Sequence, residues 1–377
     1  MLFNIRRTIS NNLHNIHGWS TNRKIVVIES DDWGSIRMPS KNVYEKLLKN
    51  GIRVDKCPYN KYDSLASEDD LTALFNVLRQ FLDKNERTPV ITANVIIANP
   101  DFEKIRESGF KTYQYELFTE TLKKYPGHVN SFSIWKQGMK EGVFFPQFHG
   151  REHLNVNRWM KGLQDNLSET HLAFNNELFG ISTDITTEKR RSYLAAFDFD
   201  TISEIESQKK IINDGLEQFE KLFGYRSFSY IATNYVWHKN LETKLATDGI
   251  KYIQGSFIQR EPKGDNSSFN LIKHYLGESN STGQHYLIRN CNFEPSLFPN
   301  NNSVENCLQE IKTAFRWRKP AIISSHRLNY IGSIVPENRD INLKLLLILF
   351  RQILVKWPQV EFKTSVELGE LIAADNL

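Results

Sequence analysis

The sequence is short of the features that mark several common protein classes. Its 377 residues include three cysteines, Cys57, Cys291 and Cys307, which lie far apart and form no Cys-x-x-Cys pair. This spacing argues against a disulfide framework and a cysteine-ligated zinc site, and it favours a reducing compartment, so we predict a cytoplasmic protein. The net charge is only +4, from interspersed basic and acidic residues. The chain therefore lacks the dense basic patch of a nucleic-acid-binding protein.

Long hydrophobic runs are also missing. The longest apolar stretch, residues 345–350, is far too short to cross a bilayer. The first residues lack the apolar segment and the cleavage site of a signal peptide. Residues 1–17 combine apolar and basic side chains in a pattern that fits a short amphipathic helix. We expect this helix to pack on its own domain, with peripheral contact to a membrane surface as the alternative.

Short apolar runs alternate with helical patterns along the chain. The runs are rich in β-branched residues and end in polar or Gly/Pro turns, which is typical of strands buried on both faces. They span residues 25–28, 90–98, 144–148, 228–232, 252–253, 286–288, 321–323 and 360–362, and the helical patterns span 43–50, 68–83, 202–222, 241–247, 304–317 and 341–356. This alternation predicts an α/β fold with a mostly parallel sheet, closed or nearly closed as a barrel.

The predicted domain organisation is simple. Residues 1–23 form an N-terminal extension, and residues 24–377 form one barrel domain, because a length of this order is common for a single α/β barrel. Two long connections are expected to be insertions at the surface, residues 99–145 and the Gly-, Asn- and Ser-rich residues 261–282.

Three of the predicted strands end in residues that carry chemistry. Asp31 and Asp32 follow the first strand, His149 and His153 follow the third, and His326 follows a late one. Functional side chains of parallel α/β folds gather at the carboxyl ends of the strands. We therefore expect all five side chains in one cleft.

The spacing of the first two histidines suits a metal site. His149 and His153 are four residues apart, which on one helical turn places both imidazoles on the same side. With one aspartate they form a nitrogen and oxygen set that suits zinc and accepts cobalt, nickel or manganese. Three protein ligands leave a position for water, whose pKa such an ion lowers to roughly 7. The other aspartate is then a candidate base, and His326 a candidate acid.

Taken one at a time, these signals have ordinary explanations. Paired aspartates often cap a helix, and a single histidine after a strand is commonly an ordinary polar group. Glu152 is a rival general base, but in helical zincins the Glu directly follows the first His. The joint placement of the five residues at three strand ends favours a hydrolytic metal site.

The same residues resemble the motifs of the polysaccharide deacetylase superfamily, which contains chitin, peptidoglycan and chito-oligosaccharide deacetylases. Residues 28–32 resemble its apolar strand followed by two aspartates, with Ser30 where Phe usually stands. Residues 149–153 resemble its His-Ser/Thr-x-x-His motif, with Gly in the second position, and residues 322–326 its late strand ending in His. Residues 360–368 are similar to its final strand followed by Thr-x-x-Glu-Leu. The resemblance spans about residues 24–375.

This resemblance implies a fold and an activity. The fold is a distorted (β/α) barrel, often seven-stranded, and the activity is metal-dependent removal of an acetyl group from an N-acetylated sugar of a glycan or glycan precursor. The carbohydrate is then the partner of the protein. By the same resemblance Asp31 is the base, Asp32, His149 and His153 are the metal ligands, and His326 is the acid.

The sequence departs from the family at two motifs. An Arg-x-Pro-Tyr motif is expected within residues 228–235, which contain neither Arg nor Pro. A backbone amide there can still stabilise an oxyanion. Asn234 and Tyr235 are candidate substrate contacts in this stretch, Tyr235 also as an aromatic ring for stacking on a sugar. The motif whose Asp pairs with that Arg is also missing, and Arg289 or Glu294 is the nearest substitute.

The sequence leaves further alternatives open. Trp33 is a candidate ring for stacking on a sugar, with core packing as the alternative, and Arg289 is a further candidate substrate contact. A glycoside hydrolase on a related barrel would use Asp31 with Glu152 or Glu294 and leave the histidines without a role. A degenerate barrel that binds glycan without turnover is the non-enzymatic alternative.

Overall fold

The computed structural model describes residues 11–264, 268–299 and 302–375 of the chain. Its strands, numbered in chain order, are β1 (Lys24–Trp33), β2 (Ile91–Ile96), β3 (Ala98–Pro100), β4 (Tyr115–Leu117), β5 (Phe144–Gly150), β6 (Ser229–Ile231), β7 (Tyr252–Gly255), β8 (Ile258–Glu261), β9 (Asn270–Lys273), β10 (His285–Ile288), β11 (Cys291–Asn292), β12 (Ala321–His326) and β13 (Val360–Lys363). Its α-helices are α1 (Lys41–Lys49), α2 (Pro58–Tyr62), α3 (Glu68–Leu78), α4 (Phe102–Glu107), α5 (Phe118–Lys123), α6 (Ser131–Lys140), α7 (Val156–Gln164), α8 (Ser168–Phe174), α9 (Ile205–Phe223), α10 (Glu242–Thr247), α11 (Ser303–Arg316), α12 (Pro336–Lys356) and α13 (Ser365–Asp375).

Nine of these strands form one curled sheet in the order β10-β7-β6-β5-β2-β1-β12-β11, with β13 beside the start of β1. Their pairings are parallel. Parallel strands need crossover connections, and the helices between them supply these. The strand and helix positions expected from the apolar pattern agree with these elements to within a few residues at most ends.

The two ends of the sheet meet in a single extended segment, residues 285–292. Its first part, β10, pairs with β7, and its last part, β11, pairs with β12. Between them the Arg289 N–H donates to Gly255 O at 2.9 Å and the Asn290 N–H to Ile322 O at 3.2 Å. The sheet therefore curls into a distorted (β/α) barrel, which confirms the predicted fold class. With β10 and β11 counted as one strand and β13 set aside, seven strands form the ring.

The first strand is longer than its apolar pattern suggests. The apolar run ends at Ile28, but β1 continues through four polar residues to Trp33, and all of them are buried. These polar side chains have protein partners instead of solvent, and other strands of the ring carry comparable buried polar residues. Asn94 of β2, for example, donates to Gln254 of β7 at 2.9 Å, although β5 and β6 separate the two strands in the sheet. Such a contact is possible only across the barrel interior, which is therefore partly polar.

The two long connections carry structure of their own. Residues 99–145 contain most of the β3–β4 hairpin and helices α4 to α6, and β9 within residues 261–282 forms an antiparallel hairpin with β8. Residues 11–14 are helical, whereas residues 1–10, which hold most of the expected amphipathic pattern, lie outside the described residues. Among the described helices, none combines the length and the apolar character that a membrane crossing requires.

Candidate active site

The end of β1 presents both of its aspartates to one cavity. Neighbouring residues of a regular strand point to opposite faces. Here the β1–β2 register shifts between Ser30 and Trp33, and Asp32 has a φ of 74°. Aspartate tolerates this left-handed conformation better than most residues do. As a result Asp31 and Asp32 both line the same cavity.

The two histidines reach this cavity from β5 and the bend that follows it. Opposite His149 the β2–β5 register also shifts, between Val95 and Ile96. Gly150 then has a φ of 145°, a conformation that residues with a Cβ rarely adopt. His149 thus belongs to a strand and His153 to a bend, and the expectation of one helical turn is wrong. The imidazoles still meet, with ring centroids 5.3 Å apart.

Asp32 and the two imidazoles have the donor atoms of a metal site. The Oδ1 atom of Asp32 lies 3.5 Å from His149 Nε2 and 3.2 Å from His153 Nε2. This oxygen is buried and has no hydrogen-bond partner. His149 Nδ1 lies 2.9 Å from Ile231 O, so it carries the proton and leaves the Nε2 lone pair facing Asp32. Of the described residues, these three are the ones whose potential ligand atoms cluster in this way, within 4.8 Å of one another.

Charges around this triad keep it in the protonation states that a metal ion requires. Burial alone would raise the pKa of Asp32, but Arg37, which donates to Oδ2 at 3.1 Å, and His153 hold it well below its usual range. Burial, assisted by Arg37, lowers the pKa of His153 to about 4. Near neutral pH the triad therefore offers a carboxylate and a neutral imidazole, as metal coordination demands.

Asp31 is held differently, by a bidentate arginine. Arg289 donates to its two oxygens at 2.7 and 2.6 Å, and Asn94 donates to Oδ1 at 2.8 Å. Burial alone would raise the pKa of Asp31, but Arg289 holds it well below its usual range. Arg289 also donates to Glu29 at 2.6 Å and is 6% exposed. It does not line the cavity, so its prediction as a substrate contact is corrected: it contacts Asp31 instead.

His326 stands directly beside Asp31 because β1 and β12 pair in register at these two residues. Its Nε2 lies 3.8 Å from Asp31 Oδ2, and its Nδ1 lies 2.6 Å from Glu294 Oε1. Burial lowers the pKa of His326, but the carboxylate of Glu294 outweighs burial and raises this pKa to about 9. His326 is therefore an imidazolium near neutral pH, with one N–H on Glu294 and the other facing Asp31.

These groups share a cavity of about 270 Å³. Its walls consist of Asp31, Asp32, Arg37, Tyr59, His149, His153, Leu194, Ala232, Asn234, Tyr235, Arg260 and His326. The structure thus brings the five residues singled out at three strand ends into one cavity, together with Asn234 and Tyr235.

Two expectations about substrate contacts need correction. Trp33 is 1% exposed and packs edge-on against Trp135 and Phe144, so its ring belongs to the core and cannot stack on a sugar. The Tyr235 N–H, a candidate oxyanion donor, already donates to Ala232 O at 3.0 Å. A role for Tyr235 therefore falls to its side chain, whose hydroxyl accepts from Arg289 at 3.2 Å.

Several residues around the cavity were not found from the sequence. Arg37, Tyr59 and Arg260 lie in stretches without a motif. Asn94 is detectable in the sequence, because it is an amide side chain inside the mostly apolar strand run of residues 90–98. Such a residue needs buried partners, and here they are Asp31 and Gln254.

Comparison with known proteins finds solved structures with low sequence identity and TM-scores below 0.5. No family model matches the chain, and no curated protein sequence matches it. Similar solved structures include a probable polysaccharide deacetylase from Pseudomonas aeruginosa (11% identity, 94% of this chain and 91% of that chain covered, TM-score 0.42). They also include a polysaccharide deacetylase from Bacillus cereus (13%, 76% and 68%, 0.32) and an alpha-amylase from Thermotoga maritima (10%, 94% and 75%, 0.46).

Proposed function

We propose that this protein is a metal-dependent hydrolase that removes an acetyl group from an N-acetylated sugar of a glycan or glycan precursor. The observation that carries the proposal is the unpartnered Oδ1 of Asp32 beside two imidazole Nε2 atoms. The same cavity holds a candidate base, Asp31, and a candidate acid, His326, whose nearest side-chain atoms are 3.8 Å apart.

Asp32, His149 and His153 would hold the ion. A buried carboxylate oxygen without a hydrogen bond is costly unless something positive faces it, and two imidazole nitrogens beside it suit zinc, with cobalt, nickel or manganese as alternatives. A bound ion supplies a Lewis acid that polarises the acetyl carbonyl and acidifies water.

Asp31 accepts the proton of the attacking water. Its carboxylate is fixed by Arg289 and Asn94, which orients it but also lowers its basicity. The imidazolium of His326 donates its Nε2 proton to the departing sugar nitrogen, which cannot leave as an amide anion. Because Asp31 Oδ2 lies beside Nε2, the proton that Asp31 has taken up can restore His326 for the next turnover.

The rival functions have less support. Among the described residues, the carboxylates that line the cavity are Asp31 and Asp32. Glu152 accepts a hydrogen bond from Arg151 at 2.7 Å, and Glu294 forms an ion pair with His326. Neither carboxylate therefore faces Asp31 across a substrate, as a glycosidase requires.

Acetate release from the metal-loaded protein tests the proposal. N-acetylglucosamine oligomers are incubated with wild type and with Asp31→Asn, and free acetate, free amine and new reducing ends are measured. Acetate and amine in equal amounts from wild type alone support a deacetylase. Stoichiometric metal without acetate indicates a glycan-binding barrel, and new reducing ends without metal indicate a glycosidase.

We place this activity in the cytoplasm. The chain holds three cysteines, which lie far apart in the sequence and form no Cys-x-x-Cys pair, and this suits a reducing compartment. Fractionation of producing cells under conditions that preserve compartments checks this placement.

A further inference from the structure

The charged side chains of the cavity come in pairs, with one exception. Each carboxylate or imidazolium described above has an oppositely charged partner within 3.1 Å, namely Asp31 with Arg289, Asp32 with Arg37, and His326 with Glu294. The exception is Arg260. It lines the same cavity, and among the described residues no carboxylate lies within 4.0 Å of it and no side chain accepts a hydrogen bond from it.

The local structure explains why Arg260 has no partner in its own hairpin. It lies on β8, where its neighbours Gln259 and Glu261 are buried and Arg260 is exposed. Successive residues of a strand point to opposite sides. Glu261 therefore cannot neutralise Arg260, and it instead accepts from Asn270 at 3.2 Å and lies 3.8 Å from His238. A backbone bridge to Val236 places Arg260 next to the turn that holds Tyr235.

A neutral acetylated sugar offers nothing that requires this charge. The acetyl amide and the sugar hydroxyls are uncharged, and the paired residues already account for hydrolysis. A guanidinium matches the planar, paired oxygens of a carboxylate or phosphate, with which it forms two parallel charge-assisted hydrogen bonds. An ion on Asp32 and the two histidines would add further positive charge to the cavity and strengthen its attraction for an anion.

We infer that Arg260 binds an anionic group, a carboxylate or a phosphate, carried by the acetylated sugar that this protein hydrolyses. The inference rests on the proposed function and extends it, because it narrows the substrate class to acidic or phosphorylated sugars. Arg260 is then a specificity-determining residue that contacts the substrate away from the acetyl group.

Binding of matched sugars tests the inference without turnover. The probes are N-acetylglucosamine, its 1-phosphate, and N-acetylmuramic acid, which carries a carboxylate. Dissociation constants are measured by ligand-observed NMR on the metal-loaded protein. We expect at least one anionic probe to bind wild type about tenfold or more tightly than the neutral sugar, in line with hydrogen bonds to a charged group. The preferred probe identifies phosphate or carboxylate as the anion.

Two variants separate Arg260 from other sources of positive charge. Arg260→Gln should abolish the preference for the anionic probe and leave the affinity for N-acetylglucosamine unchanged. Arg351→Gln is the matched control, because Arg351 is exposed on α12 and lies outside the cavity. This variant removes the same charge and should leave the preference for the anionic probe unchanged. Added salt should weaken the preference in wild type and have no such effect in Arg260→Gln.

Equal affinity of wild type for all three probes overturns the inference. So does a preference that survives in Arg260→Gln, because the anion would then bind elsewhere, such as at the metal ion. These outcomes leave the proposed deacetylation untouched, since acetate release from neutral oligomers reports on that separately. Conversely, an Arg260-dependent preference in a protein that releases acetate from neither the neutral oligomers nor the anionic probes retains the anion site and rejects the hydrolysis.

Discussion

Asp31 and Asp32 are neighbours in sequence, yet their carboxylates differ in how many of their oxygens accept hydrogen bonds. Both are buried, and in both an arginine holds the pKa of the carboxyl below its usual range. Asp31 accepts three hydrogen bonds from Arg289 and Asn94. Asp32 has one oxygen on Arg37 and leaves the other facing two imidazoles. The hydrogen bonds to both oxygens of Asp31 fix the orientation of its carboxylate, whereas the free oxygen of Asp32 can coordinate an ion.

The largest expected effect comes from removing the imidazoles on the Asp32 side. His149→Ala/His153→Ala should reduce bound metal from about one equivalent to a trace, because two of three ligands are lost. Metal content is measured by atomic emission after dialysis against a weak chelator. His17→Ala, at an exposed position outside the cavity, should keep full occupancy. Full occupancy in the double variant would rule out this triad as the metal site.

Substituting the two aspartates in turn tests whether Asp31 is the base and Asp32 the metal ligand. Asp31→Asn should retain the metal and lose roughly 10²- to 10⁴-fold in turnover, as removal of a general base does, whereas Asp32→Asn should lose the metal. Metal content and acetate release are measured on both proteins, and thermal unfolding verifies that both are folded. If Asp31→Asn loses the metal and Asp32→Asn keeps it, the two roles must be exchanged.

The Asp31 side also depends on His326. His326→Ala should reduce turnover of an N-acetyl amide much more than that of an aryl acetate, because an aryl oxide leaves without a proton and a sugar amine does not. Rates on both substrates are compared at equal metal occupancy. Equal losses on the two substrates would show that His326 has no role in protonating the leaving group.

Glu294 should set the pH range in which this acid works. Because the pKa of His326 is raised to about 9, its imidazolium is present below that pH, and the rate should fall as the pH rises through about 9. The stabilising contribution of the pair is likewise complete below the ordinary histidine pKa of ~6.5 and is lost as the pH rises through about 9. Glu294→Gln should move the alkaline limb of the rate profile to lower pH.

The pH–rate profile of kcat/KM checks this, with the exposed Glu220→Gln as a control that should leave the limb in place. An unchanged limb in Glu294→Gln would mean that another group sets it.

The smallest effect on activity is expected at Trp33. Although it directly follows the two aspartates, its ring packs in the core, and its indole N–H donates to Ser30 Oγ at 3.0 Å. Trp33→Phe should lower the free energy of unfolding by about 1–3 kcal/mol, as loss of buried volume and a hydrogen bond does. KM should not change. Denaturant titration measures the free energy of unfolding, and steady-state kinetics measure KM. A large rise in KM with unaltered stability would show that Trp33 contacts the substrate.

The sequence by itself determined most strands of the barrel, six of the thirteen described α-helices and the strand ends that carry chemistry. Strands of a parallel barrel are covered on both faces and appear as apolar runs, and their carboxyl ends converge at one end of the ring. Those two rules were sufficient to expect Asp31, Asp32, His149, His153 and His326 in one cleft. They failed within β1, whose polar second half is buried against partners such as Arg289, Asn94 and Arg37.

Only the tertiary structure decided which group faces each of these residues. Arg289 and Glu294 approach Asp31 and His326 because the segment that closes the barrel passes beside β12. No periodicity of the sequence records a contact between residues 258 positions apart, such as Arg289 and Asp31. The direction of each side chain could not be predicted from the sequence either, since it depends on the register shifts and the left-handed residue at the end of β1. Those local distortions turn Asp32 toward the histidines and Trp33 into the core.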